Sequence, residues 1–276
     1  MPRLNILTDS EQIEFDYPPT MTIESRAACF AIDAQIKKLR GETNKVGFLL
    51  QYAYFKASRR FFHIKRFRIE DIQYAAKLVG VSFRSIKLQQ YKNATPNNHQ
   101  AKILELFNCK AFQDQKLWIE KEIALKVERI VESKALFFEV LHQMHNHKVE
   151  IPSYHTLSEL ISDHYIAYEK KLLDKIKAGL NEELKIILQS LLLNLEIKYE
   201  SKLTNYKTIN QSLQPKAIQA SVKTFEKIRD LIIPLMPLIK LLGLTQQSCE
   251  YYSTWVKKLS CHNLSNLQMI ENYICT

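Results

Sequence analysis

Residues 82–91 read Ser-Phe-Arg-Ser-Ile-Lys-Leu-Gln-Gln-Tyr, a stretch suited to reading a duplex rather than to making or breaking bonds. A guanidinium can donate twice to guanine O6 and N7, and a glutamine amide matches adenine N6 and N7. Arg84, Ser85, Lys87 and Gln89 are therefore the candidates for base contacts. Arg40, Lys45, Arg59, Arg60, Lys65, Arg66, Arg68 and Lys92 are the candidates for phosphate contacts, where each cation displaces condensed counterions. His155, Thr156, Lys170 and Lys171 form a second, sparser group that would meet an adjacent groove.

Other chemistries find less support. His142-x-x-His145-x-His147, with His155 nearby, is the best set of metal ligands, but no cysteine or carboxylate completes it at ligand spacing. These histidines read as a polar helix end, and neither metal nor cofactor is expected. No G-x-S-x-G is present, so no strained turn offers a serine nucleophile. Five glycines in 276 residues are too few for a phosphate-cradling α/β enzyme. The five cysteines are odd in number, scattered and without a C-x-x-C pair, which suits a reducing compartment and excludes a zinc ribbon. Glu120/Glu122 and Glu182/Glu183 read as solvated helix surface, and Trp118 and Trp255 as core or interface anchors.

The distribution of charge says more than its total of +10. Between Lys37 and Lys92 lie fourteen basic residues against Glu42, Glu70 and Asp71, a net of +11. The remaining 220 residues hold 25 basic and 26 acidic side chains. A surplus confined to one segment points to a polyanion, and the aromatic residues interleaved with it suit a packed helical core beneath the charge.

Helices must position these groups. Apolar residues from Leu117 to Met144 recur at helical spacing with no proline or glycine, giving two helices or one long one. Thr156 with Glu159 predicts a capped start for a helix to Lys177, and residues 182–199 predict a strongly apolar one. Residues 201–214 read as a loop, Pro215 as a first-turn proline, and residues 217–231, 244–260 and 264–274 as further helices. Alternation at Phe62, Ile64 and Phe67 is the one hint of a strand. The predicted fold class is all-α, with domains over 1–112, 113–180 and 181–276. The apolar run 231–244 is broken by Pro234, Pro237 and Lys240, too short to span a bilayer, and the N-terminus lacks a secretory pattern. A membrane is therefore not an expected partner, and the protein is expected in the cytoplasm. Within the basic segment, Ala76-x-x-x-Gly80-x-x-x-x-x-Ile86 has helix-turn-helix spacing: a first helix ending at Gly80, then a second over residues 82–91 capped by Ser82.

These residues carry a family resemblance. Arg40-Gly41-Glu42-Thr43-Asn44-Lys45-Val46-Gly47-Phe48, followed by Gln51, is similar to the N-terminal signature of transposases of the Tn-three family of replicative transposons. The opening Met1-Pro2-Arg3 with Ile6-Leu7-Thr8, the Arg60-Phe61 step, and Tyr91, Thr95 and His99 in order extend it. Ile151-Pro152, Thr156-Leu157 and Pro215-Lys216-Ala217 resemble its later helical segments. Where the family has a glycine before Arg60, this chain has Arg59. The resemblance implies a non-catalytic, DNA-binding N-terminal portion that recognises terminal inverted repeats of double-stranded DNA, near the bacterial nucleoid. Its partners would be the rest of a transposase chain and, on DNA, a second copy. The family's catalytic carboxylates lie in a later domain, so no enzymatic activity is expected of this segment. Asn44 and Gly47 read as a turn and a close-packing site. The competing reading is a helical interaction or dimerisation module, supported by the near-neutral charge after residue 112 and the apolar segments 186–197 and 231–244. Salt separates the two, because phosphate contacts weaken with salt and an apolar interface does not.

Overall fold

A computed structural model of the chain describes residues 5–31, 39–91, 94–192 and 212–258. Among these the protein is all-α, with eleven helices and no strand beyond an isolated bridge between Lys110 and Val149. They group into two compact units, one of residues 1–127 and 132–165, the other of 128–131 and 166–276.

The first unit is organised around one helix. α3 (Glu42–Ser58) buries Val46, Phe48, Leu49, Leu50, Ala53, Tyr54 and Phe55, residues on every side of its axis. A helix apolar all round must be enclosed. α2 (Ile23–Phe30) and α4 (Ile69–Val79) cover one flank, enclosing Met21, Phe30, Phe62, Phe67, Ile72, Ala75 and Ala76 with it. α5 (Ala94–Leu106) covers the other through Ile103. Each large apolar side chain so enclosed contributes about 1.5–3 kcal/mol. α1 (Asp9–Asp16) starts in a reciprocal cap in which Thr8 and Glu11 bond each other's backbone.

α6 (Phe112–Val127) and α7 (Ser133–Asn146) form a hairpin that belongs to the same unit, so packing continues across residue 112. The ties are specific. Lys110 N–H donates to Lys148 O, Glu150 N–H donates to Lys110 O, and the Phe15 ring meets Phe137 edge-on at 5.4 Å. α8 (Tyr154–Gly179) begins three residues earlier than expected, with Ser153 rather than Thr156 as its cap, because Ser153 Oγ accepts the Thr156 N–H.

The second unit holds the C-terminal part of α8 with α9 (Glu182–Leu192), α10 (Pro215–Leu242) and α11 (Gln246–Lys258). Pro215 occupies the first turn as expected. α10 then continues through Pro234 and Pro237, although each removes a backbone donor from the ladder. Leu238 from α10 sits against Gly179, where a Cβ would lie 2.7 Å from its Cδ1. The helix expected over 264–274, the end of the one over 182–199 and most of the loop over 201–214 lie outside the described residues.

Two local expectations change. Residues 62–67 form no strand: a 3-10 turn, Ile64–Arg66, lies between buried Phe62 and Phe67. The helix-turn-helix keeps its first half only. α4 ends at Gly80, whose φ of +76° lets Val81 N–H reach back to Ala76 O. Residues 82–91 then form two 3-10 turns, Phe83–Ser85 and Leu88–Gln90, instead of a second α-helix. The Lys87 N–H lies 3.4 Å from Thr43 Oγ1, and Ile86 and Leu88 pack against the α3 core; docking onto α3 replaces the helical ladder.

Candidate nucleic-acid interface

Docking of residues 82–91 on the N-terminal turn of α3 places two groups of candidates together. Gly41, at φ +81°, opens α3, and Asn44 Nδ2 donates to Arg40 O, fixing the turn that carries Arg40 and Lys45. Beside it Ser85 Oγ donates to Ser82 O at 2.8 Å and lies 3.3 Å from Glu42 Oε2. Arg40, Arg84, Lys87 and Gln89 are exposed and Lys45 is half-buried. Ser85 is exposed too, but its hydroxyl proton is engaged within the turn. Lys92 lies outside the described residues.

The arginines after α3 are placed differently. Arg60 is buried, with Nη2 3.2 Å from Asp16 Oδ1 and its guanidinium 3.7 Å from the centre of the Phe15 ring. Burial pulls its pKa down to about 10, against the pull of Asp16, so it stays cationic at neutral pH. This is a correction: Arg60 bolts the N-terminal segment to the core and faces no solvent phosphate. Arg59, at φ +58°, lays its guanidinium by Phe55 and Phe107 and donates to Cys109 Sγ at 2.8 Å. Arg68 Nε donates to Pro18 O, and Arg66 Nη1 donates to Asp16 O. Arg59, Arg66 and Arg68 are half-buried; Lys65 alone of this run stands exposed.

The pattern Tyr91, Thr95, His99 has a structural content. Tyr91 Oη and His99 Nδ1 share a hydrogen bond of 2.8 Å in the core. Burial, helped by Lys102, pulls the His99 pKa down to about 4, and burial pushes the Tyr91 phenol up. Gly47 lies against that ring: a Cβ there would be 2.6 Å from Tyr91 Cε2. The expected close-packing role of Gly47 is thus met by Tyr91.

Sequence reasoning missed three polar groups. Asp71, fully buried, accepts from Arg26 Nε at 2.7 Å and from Tyr54 Oη at 3.0 Å. Gln51 holds the Phe62 backbone with both ends of its amide. Asp16 collects Arg60, Arg66 and the Tyr154 N–H. An acid standing nearly alone in a basic window was the available signal for Asp71.

The second group is divided. His155, exposed, and Thr156, half-buried, lie in the first unit; Lys170 and Lys171, both exposed, lie in the second. His155 Nδ1 is 3.8 Å from Glu159, and Lys171 is paired with Glu128 at 2.7 Å. His142 bonds Asn146, and His147 lies 4.6 Å from the Trp118 ring. Two clefts flank residues 61–65 in the first unit. One, of about 610 Å³, faces Tyr91, Pro96, Asn97 and Gln100. The other, of about 420 Å³, faces Asp16, Arg60, Arg66 and Ser153.

No helix among the described residues is long and apolar enough to cross a membrane. No curated protein matches the chain. The profile of a domain of unknown function, DUF4158, matches residues 6–164, which takes in α1 to α7 and the first part of α8. With more than half of its length matched, the chain belongs to the DUF4158 family.

Proposed function

We propose that this chain binds double-stranded DNA at the terminal inverted repeats of a transposon, as a non-catalytic N-terminal part of a Tn-three family transposase. The observation that carries this reading is the confinement of the charge surplus to residues 37–92. Arg40, Arg84 and Lys87 stand exposed where residues 82–91 dock on α3, which supports it. The matched domain is one found in transposases of that family. Without a second helix, base contact would come from the 3-10 turns carrying Arg84, Lys87 and Gln89, a short loop presented to a groove.

The test is fluorescence anisotropy of the full chain on a labelled inverted-repeat duplex and on a scrambled one, across a salt series. Four exposed cations, Arg40, Lys65, Arg84 and Lys87, and two half-buried ones, Lys45 and Arg66, set the expected slope. At about 0.9 per phosphate neutralised, log K should fall against log salt with a slope of roughly −4 to −5. Arg84→Ala should reduce the preference for the repeat, with a loss of about 1–3 kcal/mol on that sequence alone. Equal binding to both duplexes would leave phosphate contact without recognition, and no binding at low salt would refute the proposal.

One observation favours a second reading. α10 exposes Ile232, Ile233, Met236 and Ile239, which suits an interaction or dimerisation surface. Sedimentation at two concentrations without DNA tests it: a salt-insensitive dimer supports it, and a monomer throughout refutes it.

A further inference from the structure

We propose that the cleft of about 420 Å³ between residues 61–66 and the N-terminal end of α8 is a phosphate-binding site. The occupant named here, a backbone phosphate of DNA, rests on the function proposed above; the site itself does not.

Buried Arg60 and Asp16 pair in the wall of this cleft, which leaves Lys65 and Arg66 as an excess of two positive charges. Asp16 is already engaged, accepting from Arg60 Nη2 at 3.2 Å and from the Tyr154 N–H at 3.1 Å. It fixes the cleft walls and leaves the excess charge to a ligand. Arg66 spends Nη1 on Asp16, so Nε and Nη2 have no bond among the described residues. Lys65 is exposed and forms no ion pair among them. His63 also lines the cleft, where its Nδ1 accepts the Lys65 N–H at 3.2 Å. The far wall is Ser153, the cap of a 26-residue helix whose dipole favours an anion at this end. Donors of several kinds converge around a concave volume; a scattered charged surface has no such focus.

The experiment uses the full chain as wild type, Lys65→Ala, Lys65→Arg and, as an exposed lysine on α6 away from the cleft, Lys121→Ala. Anisotropy on a labelled duplex between 50 and 250 mM KCl gives the salt slope. Thermal unfolding in inorganic phosphate, against chloride at matched ionic strength, probes the site without DNA. Lys65→Ala should reduce the slope by about 0.9 and weaken duplex binding about eightfold at 100 mM salt. Lys65→Arg and Lys121→Ala should match wild type, and phosphate should raise the unfolding temperature of wild type but not of Lys65→Ala. A Lys65→Ala slope equal to wild type would overturn the cleft while leaving DNA binding intact. Phosphate stabilisation lost in Lys65→Ala, with no duplex bound by wild type, would keep the cleft and replace its occupant by a free phosphate compound. No effect of either ligand on wild type would overturn both.

Discussion

Acid should destabilise the first unit through one histidine, and replacing it should remove that sensitivity. His99 is buried, bonded to Tyr91 at 2.8 Å and edge-on to Phe48 at 5.1 Å, with its pKa pulled from 6.5 down to about 4. In the unfolded chain the imidazole binds its proton near pH 6.5; in the fold it resists until about pH 4. Between those values the unfolded state holds more protons, so stability is full above pH 6.5 and declines as pH falls towards 4. At 1.36 kcal/mol per unit, the full decline is about 3 kcal/mol. Carboxylates held down by partners, such as Glu11 at about 2, act mainly below pH 4.5. Glu150 and Glu169, pushed up by burial, act in wild type and a His99 variant alike, so the difference between the two proteins isolates the histidine. The assay is urea unfolding followed by near-ultraviolet circular dichroism of the buried tyrosines, at half-unit pH steps, for wild type and His99→Asn. Asparagine retains a polar atom near the Nδ1 position and does not titrate here. Wild type should lose about 2 kcal/mol more than the variant between pH 6.5 and 4.5. Parallel curves across that window would refute the argument, because burial of a neutral imidazole would then not be coupled to folding.

Further substitutions test the packing. Gly47→Ala should destabilise by about 1–3 kcal/mol, since the new methyl meets a buried ring at 2.6 Å. Adding Tyr91→Leu should recover part of that loss, and additive urea midpoints in the double variant would place the strain elsewhere. Asp16→Ala strands Arg60 as a buried unpaired cation and should cost about 3 kcal/mol, with Arg60→Met costing less. An equal loss from the two would show that the pair contributes through shape alone. Gly80→Ala meets nothing within 4 Å, so its cost of about 1–2 kcal/mol should come from the positive φ only, read as a lower thermal midpoint.

The parts of the fold legible in the sequence are those decided locally. Aromatic residues interleaved with the charge predict a packed helical core, and α3 buries Phe48, Tyr54 and Phe55 in it. Ala76 and Gly80 predict a helix ending in a left-handed residue, and α4 ends that way. The segment after Gly80 departs from its helix-turn-helix spacing because it docks on residues more than forty positions away, Glu42 and Thr43. The same distance hid the polar core. Arg60 and Asp16 are 44 residues apart and Arg26 and Asp71 are 45, and no spacing rule connects them. For the candidate site, composition located the charged segment, but it could not separate a cation that holds the fold from one left to solvent.

That separation changes what the charge surplus means. A buried guanidinium over an aromatic ring with a carboxylate at its end, as at Arg60, gives up hydration for fixed partners and has little field left for a distant phosphate. Arginine suits this work because its planar fork bonds carboxylate and carbonyl while stacking on rings. Arg59, Arg66 and Arg68 follow the same pattern to a lesser degree, each tied to a sulfur, carbonyl or carboxylate of its own chain. Counting residues 37–92 as fourteen phosphate contacts would imply a salt slope near −13. Counting only Arg40, Lys45, Lys65, Arg66, Arg84 and Lys87 implies a slope nearer −4 to −5. Part of the difference is the charge of Arg59, Arg60 and Arg68, spent on ties within the fold. A measured slope therefore counts how many of these cations the fold has left unspent.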